Sequence, residues 1–228
     1  DEAERRNGGP SDELVNNAGI VINGPIEVQD MEAFHLAFDT NVYGFHRLAR
    51  AVLPGMRGRK SGLIVNVSSQ QGRFVMPGFG VYAPTKFAVE AWGEQLAYEL
   101  APHGIEVVII QPGGFATKVG ANRARYAQQV KDRADPERLA AYPALAAQMG
   151  GTPGAGGSAT PPPNMPDPAE VPRAIAEIAA MPKGACPLRR AVHPGAKPQL
   201  DINRVSAETQ RQVLANGPYA QLAAGVLD

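Results

Sequence analysis

SSQQGRFVMPGFGVYAPTK, Ser68 to Lys86, is the stretch from which the rest of the chain can be read. LIVNV, Leu63 to Val67, runs straight into it, and this apolar, β-branched run predicts a strand over Gly62 to Val67 buried on both faces. From Tyr82 onward the spacing of Val89, Trp92, Leu96 and Leu100 gives one apolar stripe, which predicts a helix from Tyr82 to Pro102 closed by Gly104. A strand end that faces a helix start is the place where open α/β sheets hold their ligands.

Within that stretch three side chains suit the movement of one proton. Tyr82 and Lys86 are four residues apart and so share a helical face, one turn from each other. A free phenol titrates near ~10 and is a poor base at neutral pH. An ammonium one turn away favours the phenolate and is expected to bring Tyr82 toward the working range. Ser69, at the end of the strand, offers a hydroxyl to hold a substrate oxygen while Tyr82 exchanges its proton. A tyrosine and a lysine four apart also occur on ordinary solvated helices, so the pair needs support from elsewhere in the chain.

That support comes from four further segments: NNAG at Asn16 to Gly19, FDTNVYG around Asn41, IVNVSS ahead of the turn, and PGGFAT from Pro112 to Thr117. Together with YAPTK they resemble, in order and in separation, the motifs of the classical short-chain dehydrogenase/reductase family. The likeness is close from about Asp12 to Thr117 and looser to the C-terminus, where DPAEVPRAIAEI and PLRRAVHPGA are similar to the hydroxysteroid-dehydrogenase-like subgroup. The resemblance implies an α/β fold, a Rossmann-type doubly wound parallel sheet. It also implies a catalytic set of Ser69, Tyr82, Lys86 and Asn41, with Asn41 holding a water that relays protons from the lysine. NAD or NADP would then meet Asn17, Ala18, Gly19, Tyr82, Lys86, Pro112, Gly113, Phe115 and Thr117, the Phe115 backbone lying at the nicotinamide carboxamide. The selector between NAD and NADP is not legible in these residues.

Composition narrows the alternatives. A chain of 228 residues with 44% hydrophobic content can bury one good core, and a single domain over 1–228 is expected. The formal net charge is zero, so there is no basic footprint for nucleic acid and no polybasic membrane patch. No apolar run approaches the ~18 residues of a membrane span. One cysteine, Cys186, cannot form an internal disulfide, which fits a cytoplasmic setting, and one Cys with four His leaves few ligands for a metal.

Taken in order, DEAERRNGG reads as a helix tail ended by Gly8-Gly9, and Glu13 to Asn17 as a short buried strand. The family carries further strands and a glycine-rich phosphate turn before that point. Cofactor binding by this chain alone is therefore expected to be weak. Asp30 is a plausible N-cap for a long helix from Met31 to Met56 with Phe34, Phe38, Val42, Phe45, Ala49 and Val52 on one stripe. Asn41 lies beside that stripe, and a mid-helix asparagine is disfavoured, which predicts a specific hydrogen bond. The loop Gln70 to Gly80 holds Phe74, Met76 and Phe79, which either line an apolar substrate pocket or close the core beneath the loop.

Ile105 to Gln111 is a further parallel strand stopped by Pro112. Residues 118–168 read as a substrate lid, helical in pieces to Met149, followed by a Gly/Pro-rich loop. Gly150, Gly154 and Gly156 in that loop match the spacing of a phosphate turn, but no strand precedes them and a proline run follows, so they are read as loop. A helix over Asp167 to Met181, a short strand at Leu188 to His193 and a last helix over Gln199 to Asn216 complete the chain.

The leading expectation is an enzyme that interconverts a secondary alcohol and a ketone or aldehyde with NAD(P). An epimerase or dehydratase shares Tyr and Lys but not the NNAG and PG motifs. A third reading is a truncated, catalytically impaired fragment or partner-binding module. Leu48, Val52 and Phe87 are apolar positions off the expected sheet-facing stripes, and in the family the two long helices pair across a two-fold axis. A homodimer or homotetramer is expected.

Overall fold

The structure, a computed structural model, describes residues 2–149 and 165–227, and the first of its helices is α1 (Glu2–Asn7). Its frame is one parallel sheet in the order β1-β2-β3-β4, formed by β1 (Glu13–Asn16), β2 (Gly62–Val67), β3 (Ile105–Pro112) and β4 (Arg189–Val192). Alternation along the strands sorts the core into two faces. Ile64, Val107 and Ile109 pack against one set of helices, while Leu63, Val65, Val108 and Ile110 pack against another. The first set is α3 (Gly44–Arg59), α4 (Tyr82–Leu100), α9 (Gln199–Leu214) and α10 (Ala220–Val226). The second face is covered by α8 (Glu170–Ala179), through Ala174 and Ile178. Helices on both faces of a parallel sheet make this the doubly wound α/β class.

Because every strand points the same way, four strand ends open onto one edge of the sheet. Asn16 leads there into Asn17-Ala18-Gly19, Val67 into the serine turn, Pro112 into the PGG segment and Val192 into His193. This common edge positions the candidate site.

Several expectations are corrected. β1 is not a buried strand: Val15 is 41% exposed and only Asn16 is fully buried, because β1 is the edge strand of the described sheet. The helix expected over Met31 to Met56 is three pieces: α2 (Met31–Phe38), a π-helical turn Asp39–Tyr43 and α3. Asp30 does cap α2, accepting from the Ala33 N–H at 2.8 Å. Val52 is a core residue, so Leu48 and Phe87 alone of the three surplus apolar positions remain exposed, at 50% and 41%. α8 begins at Glu170 rather than Asp167, since the Asp167 carboxylate accepts from Ala169 N–H and closes a turn ahead of the helix. Past Gly217-Pro218 the chain forms one more helix, α10, which seals the end of the first core face.

Residues 118–149 are helical in pieces, as α5 (Val119–Arg133), α6 (Pro136–Ala140) and α7 (Pro143–Gln148). Ala127, Val130 and Met149 form a separate apolar cluster with Ile22, Val28, Ala33, Ala37 and Val81. The glycine spacing at 150, 154 and 156 lies outside the described residues.

Candidate active site

Local sequence rules explain how each side chain is set. Tyr82 is the first residue of α4, and the chain reaches it through Gly80, at φ +35°. Gln29 packs where a Gly80 side chain would stand, and its Oε1 accepts from the Val81 N–H at 2.7 Å. The conformation and the crowding both require glycine there. The loop before α2 thereby fixes the start of α4, one residue before the tyrosine.

Ser69 lies two residues past β2 and caps the 3-10 turn Gln70–Gly72, its Oγ accepting from the Gln71 N–H at 3.1 Å. Lys86 sits one turn into α4, buried, and donates from Nζ to the Val67 carbonyl at 2.9 Å. Its Nζ stands 5.8 Å from the Tyr82 ring centroid and 5.9 Å from that of Phe45. Burial pulls the Lys86 pKa down to about 8, opposed by the negative charge of Glu90.

The Tyr82 hydroxyl behaves otherwise than the sequence suggested. Burial is the larger influence and pushes its pKa up, with hydrogen bonding to Ser69 acting in the opposite sense. The reason is local: the lysine that was expected to draw the proton off donates to the strand end, not to the phenol. Tyr82 therefore stands as a protonated donor near neutral pH.

Asn41 is fully buried in the π turn and makes the specific bonds its position called for. Its Oδ1 accepts from the Ile20 N–H at 2.8 Å, and its Nδ2 donates to the Ile20 carbonyl at 2.9 Å and to Thr85 Oγ1 at 3.0 Å. Thr85 Oγ1 in turn donates to the Tyr82 carbonyl at 2.7 Å. Both amide hydrogens of the side chain are thus spent on holding the segment after NNAG against α4. A π turn inside a helix is a frequent mark of a functional position.

Asn17, Ala18 and Gly19 are exposed at the end of β1. A side chain at Gly19 would reach within 3.4 Å of Asn41 Oδ1 and 3.6 Å of Lys86 Nζ, so the glycine keeps open a space beside the lysine. Across the edge, Pro112, Gly113 and Phe115 are half-buried, Phe115 meeting His193 edge-on at 5.6 Å between ring centroids. Thr117 is exposed, and its Oγ1 accepts from the Val119 N–H at 3.3 Å, opening α5. Phe79 lies 6.2 Å from Tyr82 by ring centroids, and Phe74 and Phe79 are half-buried, while Met76 is 42% exposed. Half-buried Phe79 leaves apolar surface beside Tyr82.

The four expected catalytic side chains are therefore brought to one edge, with Gly19 beside them. Sequence reasoning passed over Thr85, Gln29 and Glu90. Glu90 carried a legible signal, because Lys86, Glu90 and Glu94 recur every four residues on the face that carries Tyr82.

The profile of the short chain dehydrogenase family matches residues 2–128, more than half of the chain. The chain belongs to that family. 3-Ketodihydrosphingosine reductase of Bacteroides thetaiotaomicron is 42% identical over 115 residues, 50% of this chain and 43% of that protein. Human retinol dehydrogenase 8 is 40% identical over 132 residues, 58% of this chain and 42% of that protein. The chain thus spans less than half the length of these two curated relatives. Among solved structures, a short-chain dehydrogenase from Streptomyces avermitilis superposes with a TM-score of 0.62 at 31% identity, covering 98% of this chain and 74% of that one.

Proposed function

We propose that this chain carries the catalytic residues of an NAD(P)-dependent oxidoreductase that interconverts a secondary alcohol and a ketone or aldehyde. The observation that carries the reading is the convergence of Ser69, Tyr82, Lys86 and Asn41 at one edge of a doubly wound sheet. A gluconate 5-dehydrogenase from Burkholderia cenocepacia, solved in complex with NADP and tartrate, matches at 29% identity with a TM-score of 0.50. That likeness supports a nicotinamide cofactor for this chain too.

The residues present fit the nicotinamide-ribose end of such a cofactor. The space that Gly19 leaves beside Lys86 Nζ admits a ribose hydroxyl, and Pro112 to Thr117 follows at the end of β3 on the same edge of the sheet. When bound, the cofactor would supply or accept the hydride. The chain's own residues do the rest. Ser69 donates a hydrogen bond to the carbonyl oxygen and fixes its place. Tyr82 gives up its phenolic proton to that oxygen as negative charge develops there, and takes it back when the alcohol is oxidised. Lys86, charged below about pH 8, would hold the ribose and sets its positive charge one turn from the phenolate left behind. Asn41 keeps Ile20 and α4 in register, and a relay water, if Asn41 holds one, rests on its backbone because its side chain is already committed.

Phe79, Phe115 and the exposed Val75 and Met76 favour a substrate with an apolar flank next to the reacting carbon. Leu48 on α3 and Phe87 on α4 favour association of two copies through these helices, and residues 118–149 form the substrate lid of the single domain. The experiment is a set of apolar ketones and alcohols assayed by nicotinamide absorbance, with Ser69→Ala beside wild type. Turnover that Ser69→Ala lowers on the same substrates supports the reading. Wild-type turnover unaffected by Ser69→Ala would overturn the residue roles, and no turnover by a protein that binds NAD(P)H would overturn the activity.

A further inference from the structure

Below the site, α4 carries a charge that a core seldom accepts. Glu90 is 2% exposed, one turn beyond Lys86, and it is held from two strands. Arg189 of β4 donates from Nε to Glu90 Oε2 at 2.9 Å and also bonds Glu94 on the next turn. Gln111 of β3 donates from Nε2 to Glu90 Oε1 at 3.0 Å, and Asn203 of α9 holds Gln111 in turn, donating to its Oε1 at 2.8 Å. Arg73, just past the serine turn, faces the same two carboxylates.

The other contact of Glu90 is steric. Gly72 closes the turn that Ser69 caps, and a side chain there would lie 2.7 Å from Ser68 Oγ and 2.8 Å from Glu90 Cγ. The serine turn thus rests directly on the Glu90 stem. A buried carboxylate that served stability alone is hard to justify, because an apolar side chain of similar volume is often as good or better.

We infer that Glu90 is a positioning residue for the site above it, its carboxylate fixed by Arg189 and Gln111 to act on the Lys86 charge and its stem supporting the Ser69 turn. The inference rests on the proposed role of Lys86 and adds what sets that lysine's charge. Facing Lys86 are Tyr82 and Glu90 on its own helix, the Val67 carbonyl from β2, Phe45 from α3, and Asn41 from the π turn. The charged group that acts on it is Glu90, which keeps the ammonium protonated to higher pH than burial alone allows. Arg189 partly neutralises Glu90, so the two residues pull Lys86 in opposite directions.

The test reads the Lys86 proton itself, without substrate or cofactor. Lysine labelled with carbon-13 at Cε is followed by NMR against pH, and Lys86→Arg assigns the resonance. In Glu90→Gln, which keeps the shape and an acceptor for Arg189, the Lys86 midpoint falls by about one pH unit. In Arg189→Met, which leaves Glu90 uncompensated, it rises. Glu94→Gln breaks the same cluster two turns from Lys86 and shifts the midpoint less than Glu90→Gln does. Shifts of the same sign in Glu90→Gln and Arg189→Met, or an equal shift in Glu94→Gln, would mean general loosening and overturn the inference. Failure of both Glu90→Gln and Arg189→Met to fold would assign the pair to stability alone and overturn it as well. The outcome does not depend on turnover, so it separates from any failure of the oxidoreductase reading.

Discussion

The polar spine under the site and the segment α5–α7 beside it are built from opposite materials. The spine, from Asn41 and Thr85 through Lys86 to Glu90 and Gln111, is buried and closely hydrogen-bonded, and it joins α4 to β2, β3 and β4. The segment α5–α7 instead lies over a small apolar cluster, latched at its rim by exposed or half-exposed groups. Arg133 meets Asp30 at 2.6 Å and Glu32 at 3.5 Å, and Tyr142 donates to Glu27 at 2.6 Å. Met149 fills the space that Gly24 leaves, and Asn23 donates to the Gln148 carbonyl at 3.2 Å. Buried polar contacts fix geometry at high cost if broken, whereas exposed ion pairs hold a surface lightly. The contrast predicts a rigid spine and an α5–α7 segment that opens locally at lower cost.

Breaking the spine has the largest expected effect on stability. Asn41→Ala removes the bonds to both Ile20 backbone groups and to Thr85, and leaves buried partners unpaired. The expected loss is about 3 kcal/mol in urea unfolding, with earlier hydrogen exchange at the start of α4. A loss no larger than that of an exposed alanine substitution would mean the spine is not what holds the site.

Removing the spine's misplaced charge should act the other way. Burial lowers Lys86 from its ordinary 10.5 to about 8, so the folded state binds fewer protons than the unfolded chain between those values. The sign is therefore an increase of stability as pH rises from about 8 to 10.5, and a standing cost of about 3 kcal/mol below pH 8. Lys86→Met removes that cost but orphans the Val67 carbonyl. A net gain of about 1–2 kcal/mol at neutral pH is expected, with the pH dependence in that window abolished. The measurement is urea unfolding at several pH values.

The segment α5–α7 should respond least. Arg133→Ala breaks an ion pair whose partners are 37% and 36% exposed, and the expected cost is below about 1 kcal/mol. Asp30, whose carboxyl is held below its usual range chiefly by its hydrogen bond with Arg133, would titrate higher in the variant. Hydrogen exchange should quicken in α5–α7 and stay unchanged in α4. Equal change in both would erase the distinction between the regions.

Much of the spine's scaffold was legible in the sequence alone. β2 was bounded correctly because a run of apolar, β-branched residues between turn signals has few other readings, and the place of Ser69 past it and of Tyr82 and Lys86 one turn apart on α4 followed from spacing. The π turn was not, because its widened hydrogen bonding leaves the apolar spacing from Phe38 to Val42 to Phe45 intact. Glu90 and Glu94 were passed over, since the arginine that neutralises them arrives from β4, far along the chain. The upward push on Tyr82 was hidden for a related reason: spacing gives the lysine's distance along the helix, but not the carbonyl to which its amine is committed. α10 was missed because Gly217-Pro218 marks a helix end and says nothing of the alanine-rich turn that packs beyond it.

The most direct test of the account is Tyr82→Phe, assayed for NAD(P)H-dependent turnover on a substrate that wild type accepts. Only the transferable proton is removed, so the fold and the exchange protection of α4 should be those of wild type while turnover falls by about 100-fold or more. A variant that folds normally and keeps more than about a tenth of wild-type turnover, far above what the loss of general acid–base catalysis allows, would contradict the assignment of the proton to Tyr82.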